Sequence, residues 1–111
     1  MPVHTMHCQD PWFTKIKEGI KPVEGRKGKE IFRRIKPGDT IQFTNGSESF
    51  NAKVSKVDTF SNVEEYLEKV GVEKALPGIK SIEEGLEIYY QWSTPEEIDE
   101  LGFLGIWVKP E

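Results

Sequence analysis

The chain has 111 residues, 36% of them hydrophobic and 31% charged, which suits one domain over residues 1–111 with a single core and a charged surface. Its one cysteine, Cys8, excludes an internal disulfide. There is no charged start leading into an apolar stretch and no apolar run near the ~18 residues of a membrane span, so a cytoplasmic protein without a membrane partner is expected. A net charge of −4 argues weakly against nucleic acid as a ligand, but the charge is unevenly spread. Arg26, Lys27, Lys29, Arg33, Arg34 and Lys36 stand against Glu30 alone, so residues 26–36 carry six bases minus one acid, +5, and the remainder −9. Exposed charges are screened beyond ~8–10 Å at ordinary salt, so a phosphate responds to a local patch and not to the total. Residues 62–111 hold twelve acids and four bases, and a two-faced molecule is expected.

Taken in order, residues 2–8 read as a strand with His4, Met6 and Cys8 on one face and Val3, Thr5 and His7 on the other. His4, His7 and Cys8 are metal-competent types, but alternation divides them between faces and no second His or Cys cluster completes a tetrahedral set, so no metal is expected. A short amphipathic helix follows. Asp10 is placed to cap it, Pro11 suits the first helical position, and Phe13, Ile16 and Ile20 recur at helical spacing with Trp12 beside them. Gly19 closes the helix, and Trp12, which opens it, is read as structural. Behind the helix come Lys21, Glu24 and Arg26. Extended geometry puts Glu24 and Arg26 on one face and Lys21 on the other, unless Pro22, which cannot donate to a ladder, marks an edge or bulge that turns Lys21 toward them. As an ordinary surface salt bridge the three would contribute little. As a site, Lys21 and Arg26 offer donors to a phosphate or base edge, while Glu24 orients Arg26 or accepts from an exocyclic amine.

Ile31, Phe32 and Ile35 form a brief apolar stripe amid bases, consistent with one or two helical turns, and Pro37-Gly38-Asp39 marks a turn. Thr40 to Thr44 alternates, Asn45-Gly46 signals a tight hairpin, and Phe50, Ala52 and Val54 alternate on the return strand. Val57 falls out of phase, which suggests a bulge, and the two strands are expected at the centre of the sheet. Ser61 and Asn62, with Glu64 and Glu65 three residues after each, open a helix whose Val63, Tyr66, Leu67 and Val70 share a face before Gly71 stops it. Leu76-Pro77-Gly78 reads as a turn, and Ser81 with Glu84 caps a second helix with Ile82, Leu86 and Tyr89 as its stripe. Tyr90 and Trp92 lie off that stripe. An aromatic that the core does not need is free to stack on a base, which makes Tyr90 a candidate, whereas Trp92 is expected to be partly buried. Thr94, Pro95 and Glu97 start a short acidic helix. The run from Phe103 to Val108 reads as a closing strand covered on both faces, with Gly105 allowing a bend or close approach. This order of elements has too few βαβ units for a parallel sheet, so an α+β barrel is expected.

The spaced residues Pro11-Trp12-Phe13, Ile16, Gly19, Lys21 and Glu24-Gly25-Arg26 closely resemble the signature of the ASCH domain family. The resemblance continues through Ile35-Lys36-Pro37-Gly38-Asp39, which is similar to the family's Pro-Gly-Asp step into a strand, and reaches the last apolar strand. It implies a PUA-like fold, a mixed and mostly antiparallel β-barrel with peripheral short helices, and an RNA or nucleotide ligand. One branch of the family comprises acetylcytidine amidohydrolases that use a Lys, a Thr three residues later and a distant Glu. Lys21 matches the first of these, but Glu24 stands where that branch has its threonine, and a carboxylate is no like-for-like nucleophile for amide cleavage. Other members are reported as ribonucleases, and the resemblance then implies Lys21 and Glu24 as catalytic residues with Arg26 stabilising phosphate.

Three functions compete. The first is a binding module for RNA or a modified nucleotide, with Lys21, Glu24, Arg26, Lys27, Lys29, Arg33, Arg34 and Tyr90 as ligand contacts. The second is a small metal-independent hydrolase built on Lys21 and Glu24. The third is a regulator that meets a protein partner through the acidic helices. No glycine-rich phosphate loop, Ser-His-Asp order or metal spacing points elsewhere, and no cofactor is expected.

Overall fold

A computed structural model describes residues 2–111. Among them five strands, β1 (Val3–His7), β2 (Val23–Lys27), β3 (Thr40–Asn45), β4 (Glu48–Phe60) and β5 (Phe103–Pro110), form one sheet in the order β1-β3-β4-β5-β2. β1 runs parallel to β3 and every other pairing is antiparallel. The sheet curls into a half-barrel, the α+β, mixed and mostly antiparallel architecture expected. Its two edges, β1 and β2, are the strands that flank helix α1 (Trp12–Lys17) in the chain. β5 is not a strand that closes the seam. It lies between β4 and β2, and its burial on both faces follows from that interior position.

β4 is the middle strand, with β3 beside it. Asn45 pairs with Glu48, so the two-residue hairpin loop is Gly46-Ser47, one residue later than the Asn45-Gly46 signal suggests, and Gly46 takes the positive φ of +66° that such a turn needs. The ladder between β4 and β5 shifts register between Val54 and Lys56. This bulge bends β4, so that it pairs with β3 through its first half and with β5 beyond.

The sheet separates two cores. On one side Met6, Ile41, Phe43, Ala52, Val54, Leu104, Ile106 and Val108 pack with Phe13 and Ile16 of α1. On the other, Val23, Phe60 and Phe103 pack beneath α3 (Val63–Val70), α4 (Val72–Ala75), α5 (Ile82–Tyr89) and α6 (Pro95–Leu101). Alternate residues of β5 serve the two cores in turn. Local caps fix the helix starts. Asn62 accepts the Glu65 N–H at 2.9 Å, Ser81 accepts that of Glu84 at 3.2 Å, and Thr94 with Glu97 forms a reciprocal capping box. The four apolar residues expected on one face of α3 are all buried. Helix α4, a single turn between Gly71 and Leu76, was not foreseen.

Two of the apolar positions expected to pack lie in solvent. Asp10 does accept the Thr14 N–H at 3.0 Å, but α1 ends at Lys17 and Gly19 turns the chain at φ +80°, so Ile20 falls outside the helix and is 55% exposed. Within the single turn of helix α2 (Glu30–Arg33) Phe32 is half-buried and Ile31 faces solvent, while Ile35, beyond the helix, is buried.

Candidate functional site

Strand β2 is an edge, and its glycine decides how it sits. Gly25 lies opposite Gly105 of β5, and the Tyr66 ring fills the space that two side chains would otherwise take. A Cβ on Gly25 would come within 2.7 Å of Phe103 and 3.0 Å of Tyr66, and one on Gly105 within 3.1 Å of Tyr66. With Gly25 pressed on Tyr66, alternation points Glu24 and Arg26 the other way, toward β1 across the open seam. Lys21 precedes the strand, separated from it by Pro22, and so escapes the alternation that would have turned it away.

The three charges converge. Arg26 donates from Nε and Nη2 to Glu24 Oε2 at 2.9 and 2.7 Å, and Nη2 also reaches the His7 carbonyl at 2.6 Å, joining the two edges of the sheet. Lys21 Nζ lies 3.5 Å from Glu24 Oε1 and donates to the Ala75 carbonyl at the end of α4. Lys21 is 1% and Glu24 7% exposed, so this is a buried ion cluster and not a surface salt bridge. Burial alone would raise the Glu24 carboxyl, but the Arg26 and Lys21 charges outweigh it and hold the group below its ordinary value. Burial lowers Lys21, with Glu24 opposing. Cys8, whose Sγ is 3.9 Å from Glu24 Oε2, is pushed up to about 12 by burial and by the Glu24 charge, so it stays a neutral thiol.

The cluster forms the inner wall of a cavity of about 320 Å³. Trp12, Phe32, Tyr89, Trp92 and Phe103 supply apolar walls, and Lys27 and Lys29 stand among its polar residues. The cavity wraps around the β2 edge and so draws on both cores; Trp12 packs against each of them. Cation–π contacts tie the walls to the charges, with Lys21 5.8 Å from the Trp12 ring centre and the Arg26 guanidinium 5.7 Å from that of Phe32.

Of the residues singled out from the sequence, Lys21, Glu24, Arg26, Lys27 and Lys29 meet at this cavity. Lys27 is paired with Glu97 at 3.1 Å, whereas Lys29 has no salt-bridge partner among the described residues. Arg33 and Arg34 lie outside it. Arg33 is turned to the backbone, donating to the carbonyls of Gly28 and Leu101, and Arg34 pairs with Glu30 in solvent at 3.0 Å. Tyr90 is also elsewhere: it is 39% exposed, and partial burial with the carboxylates of Glu64, Asp99 and Glu96 raises its phenol, surroundings that disfavour a phosphate chain. The exposed aromatic at the cavity is instead Trp92, 46% exposed, the one expected to be partly buried. Trp12, read as structural, is half-buried and lines the cavity as well. Sequence reasoning did not assign Cys8, Phe32 or Tyr89 to the site, because each reads locally as a core residue. Among the described residues no three His, Cys, Asp or Glu side chains gather as a metal would require.

A family model described as the ASCH domain matches residues 6–104. No functionally curated protein matches the chain. Among solved structures it is similar to the crystal structure of the hypothetical protein PH0355, with a TM-score of 0.92 and 39% identity over 98% of this chain and 99% of that one. It is similar to the solution NMR structure of protein PF0455 from Pyrococcus furiosus, with a TM-score of 0.81 and 36% identity over 97% and 96%. The crystal structure of an ASCH domain from Lactobacillus crispatus JV V101 shares the fold at a TM-score of 0.66 and 16% identity, over 96% of this chain and 79% of that one.

Proposed function

Because the chain belongs to the ASCH domain family, which is usually linked to RNA binding, we propose that it is a cytoplasmic protein that binds RNA or a nucleotide in the cavity beside β2. The observation that carries this reading is Glu24, buried and clamped between Lys21 and Arg26 inside an aromatic-walled cavity, with Lys29, which has no salt-bridge partner among the described residues, beside it. Each part answers to a feature of a nucleotide. Aromatic faces stack on a base, lysine attracts phosphate, and a fixed carboxylate accepts from an exocyclic amine. The same geometry supports binding over hydrolysis at Lys21 and Glu24. A carboxylate held low by two cations is a weak general base, and the cations are occupied with Glu24, with Ala75 and with His7.

Trp12 and Trp92 line the cavity, so ligand entry should quench tryptophan emission. Titration with short single-stranded RNAs and nucleoside monophosphates is expected to give saturable quenching that weakens with salt and weakens further in Lys29→Gln, whose salt slope should fall by about 1. Absence of saturable binding by every RNA and mononucleotide would remove the reading.

A further inference from the structure

The cavity has a floor and a mouth, and they are built differently. Lys21 and Glu24 are buried at the floor, with the half-buried Trp12 against Lys21. Trp92 and Lys29 line the same cavity and are both exposed, Trp92 by 46%. Among the described residues five large apolar side chains stand in solvent, Val3, Ile20, Ile31, Tyr90 and Trp92, and of these Trp92 alone lines the cavity. It belongs to neither core. The fold nevertheless holds it in place. Its N–H donates to the Tyr89 carbonyl at 3.1 Å, and its ring meets that of the buried Tyr89 edge to face, with centres 6.2 Å apart and planes at 77°. One edge of the indole is therefore anchored while much of its surface is left to water.

The turn that carries Trp92 is also tied to the lysines. Two residues later Thr94 caps α6 in a reciprocal box with Glu97, and Glu97 pairs with Lys27 at 3.1 Å. Glu97 thereby neutralises Lys27, while Lys29, two residues further along the chain, has no salt-bridge partner among the described residues. The mouth thus sets an accessible aromatic surface beside an unneutralised ammonium.

That pairing suits a base and the phosphate next to it, because every base has a face to stack and every linkage a negative charge. A cavity of about 320 Å³ has room for one nucleotide, which the floor and inner walls already enclose. An aromatic outside that volume is placed for the next one.

We propose that Trp92 and Lys29 form a second subsite at the cavity mouth, where the indole stacks the base adjoining the one in the cavity and the ammonium meets the phosphate that joins them, so that the ligand is a single strand and not a free mononucleotide. This rests on the nucleotide-binding reading above and adds the length of ligand that the site takes and the residues that measure it.

The test is calorimetric titration of the parent, Trp92→Ala, Trp92→Phe and Lys29→Gln with three sets of ligands: the four ribonucleoside 5′-monophosphates, the 5′-phosphorylated dinucleotides of each base, and the same dinucleotides from which one base has been removed. The parent should bind an intact dinucleotide about tenfold more tightly than its base-stripped form, within the range for a base stacked on an aromatic side chain. Trp92→Ala should abolish that step and Trp92→Phe keep most of it, with the monophosphates bound as by the parent. Lys29→Gln should weaken the intact and stripped dinucleotides by the same factor, since it acts on phosphate and not on the base. Should Trp92→Ala lower the melting temperature, the parent's own comparison of intact and stripped ligands still decides. Intact and stripped dinucleotides bound alike by the parent, or a loss in Trp92→Ala that falls equally on the monophosphates, would each overturn the second subsite while leaving a nucleotide site in place. Binding of none of the ligands would overturn both.

Discussion

The cluster of Lys21, Glu24 and Arg26 and the basic run that follows it are made of the same kinds of side chain, but the fold treats them differently. The cluster is taken out of water, and each charge is held by another or by a backbone carbonyl, so its geometry is set before any ligand arrives. The run is dispersed instead. Lys27 and Lys29 reach the cavity, Arg33 bonds back to the carbonyls of Gly28 and Leu101 and so braces α2 against the end of α6, and Arg34 stands in solvent beside Glu30. Charge density along a chain therefore does not locate a site; burial and direction do. An exposed ion pair such as Arg34–Glu30 is screened and mobile, whereas a desolvated one resists rearrangement because breaking it strands a charge.

The largest effect should come from emptying the centre of the cluster. Glu24→Ala leaves the ammonium of Lys21 buried without its counter-charge, and a loss of ~3–5 kcal/mol in urea unfolding is expected. Glu24→Gln keeps the shape and should weaken ligand by ~1–3 kcal/mol. The carboxyl also sets an acid limit. Its folded pKa lies below the ordinary 4.5, so the unfolded chain holds the proton more tightly; the stability it contributes is complete above that pH and drains away as pH falls through the folded value. Glu24→Gln should flatten this acid limb, and an identical pH profile in the variant would mean that the cluster is not what titrates.

Trp12→Ala should rank next, at about 3 kcal/mol, near the low end for removing a large aromatic because the residue is only half-buried. Since Trp12 touches both cores and the cavity, stability and ligand should fall together. A variant that melts like the parent yet loses ligand would make Trp12 a contact residue alone.

The smallest effects should divide the basic run. Arg33→Gln removes hydrogen bonds to two backbone carbonyls and is expected to cost ~1–2 kcal/mol of stability. Arg34→Gln should stay within ~0.5 kcal/mol and act on RNA, if at all, through a salt slope reduced by about 1. Equal behaviour of the two in both measurements would dissolve the distinction drawn between them.

Much of this protein is decided within a few residues of chain. The capping residues Asn62, Ser81 and Thr94 each act on a partner three positions away, the hairpin at Gly46 needs only its own φ, and the one-face spacing of Val63, Tyr66, Leu67 and Val70 is a property of one helix. Such signals survive in the sequence because the interacting groups are neighbours in it. The likeness of residues 11–26 to the ASCH signature brought Lys21, Glu24 and Arg26 together as candidates in the same way. Tertiary structure decided the rest. That β1 pairs with β3 and leaves β2 at the opposite edge, that Lys21 caps Ala75 and Arg26 reaches His7, and that Trp92 and not Tyr90 faces the cavity all depend on contacts between distant segments. Tyr66 and Tyr89 show the limit most clearly. Each sits correctly on the apolar face of its own helix, and only the packing of those helices brings the two rings edge to face at 5.9 Å with both hydroxyls buried, because a periodic pattern records which face is buried but not what the polar end of a buried ring will meet.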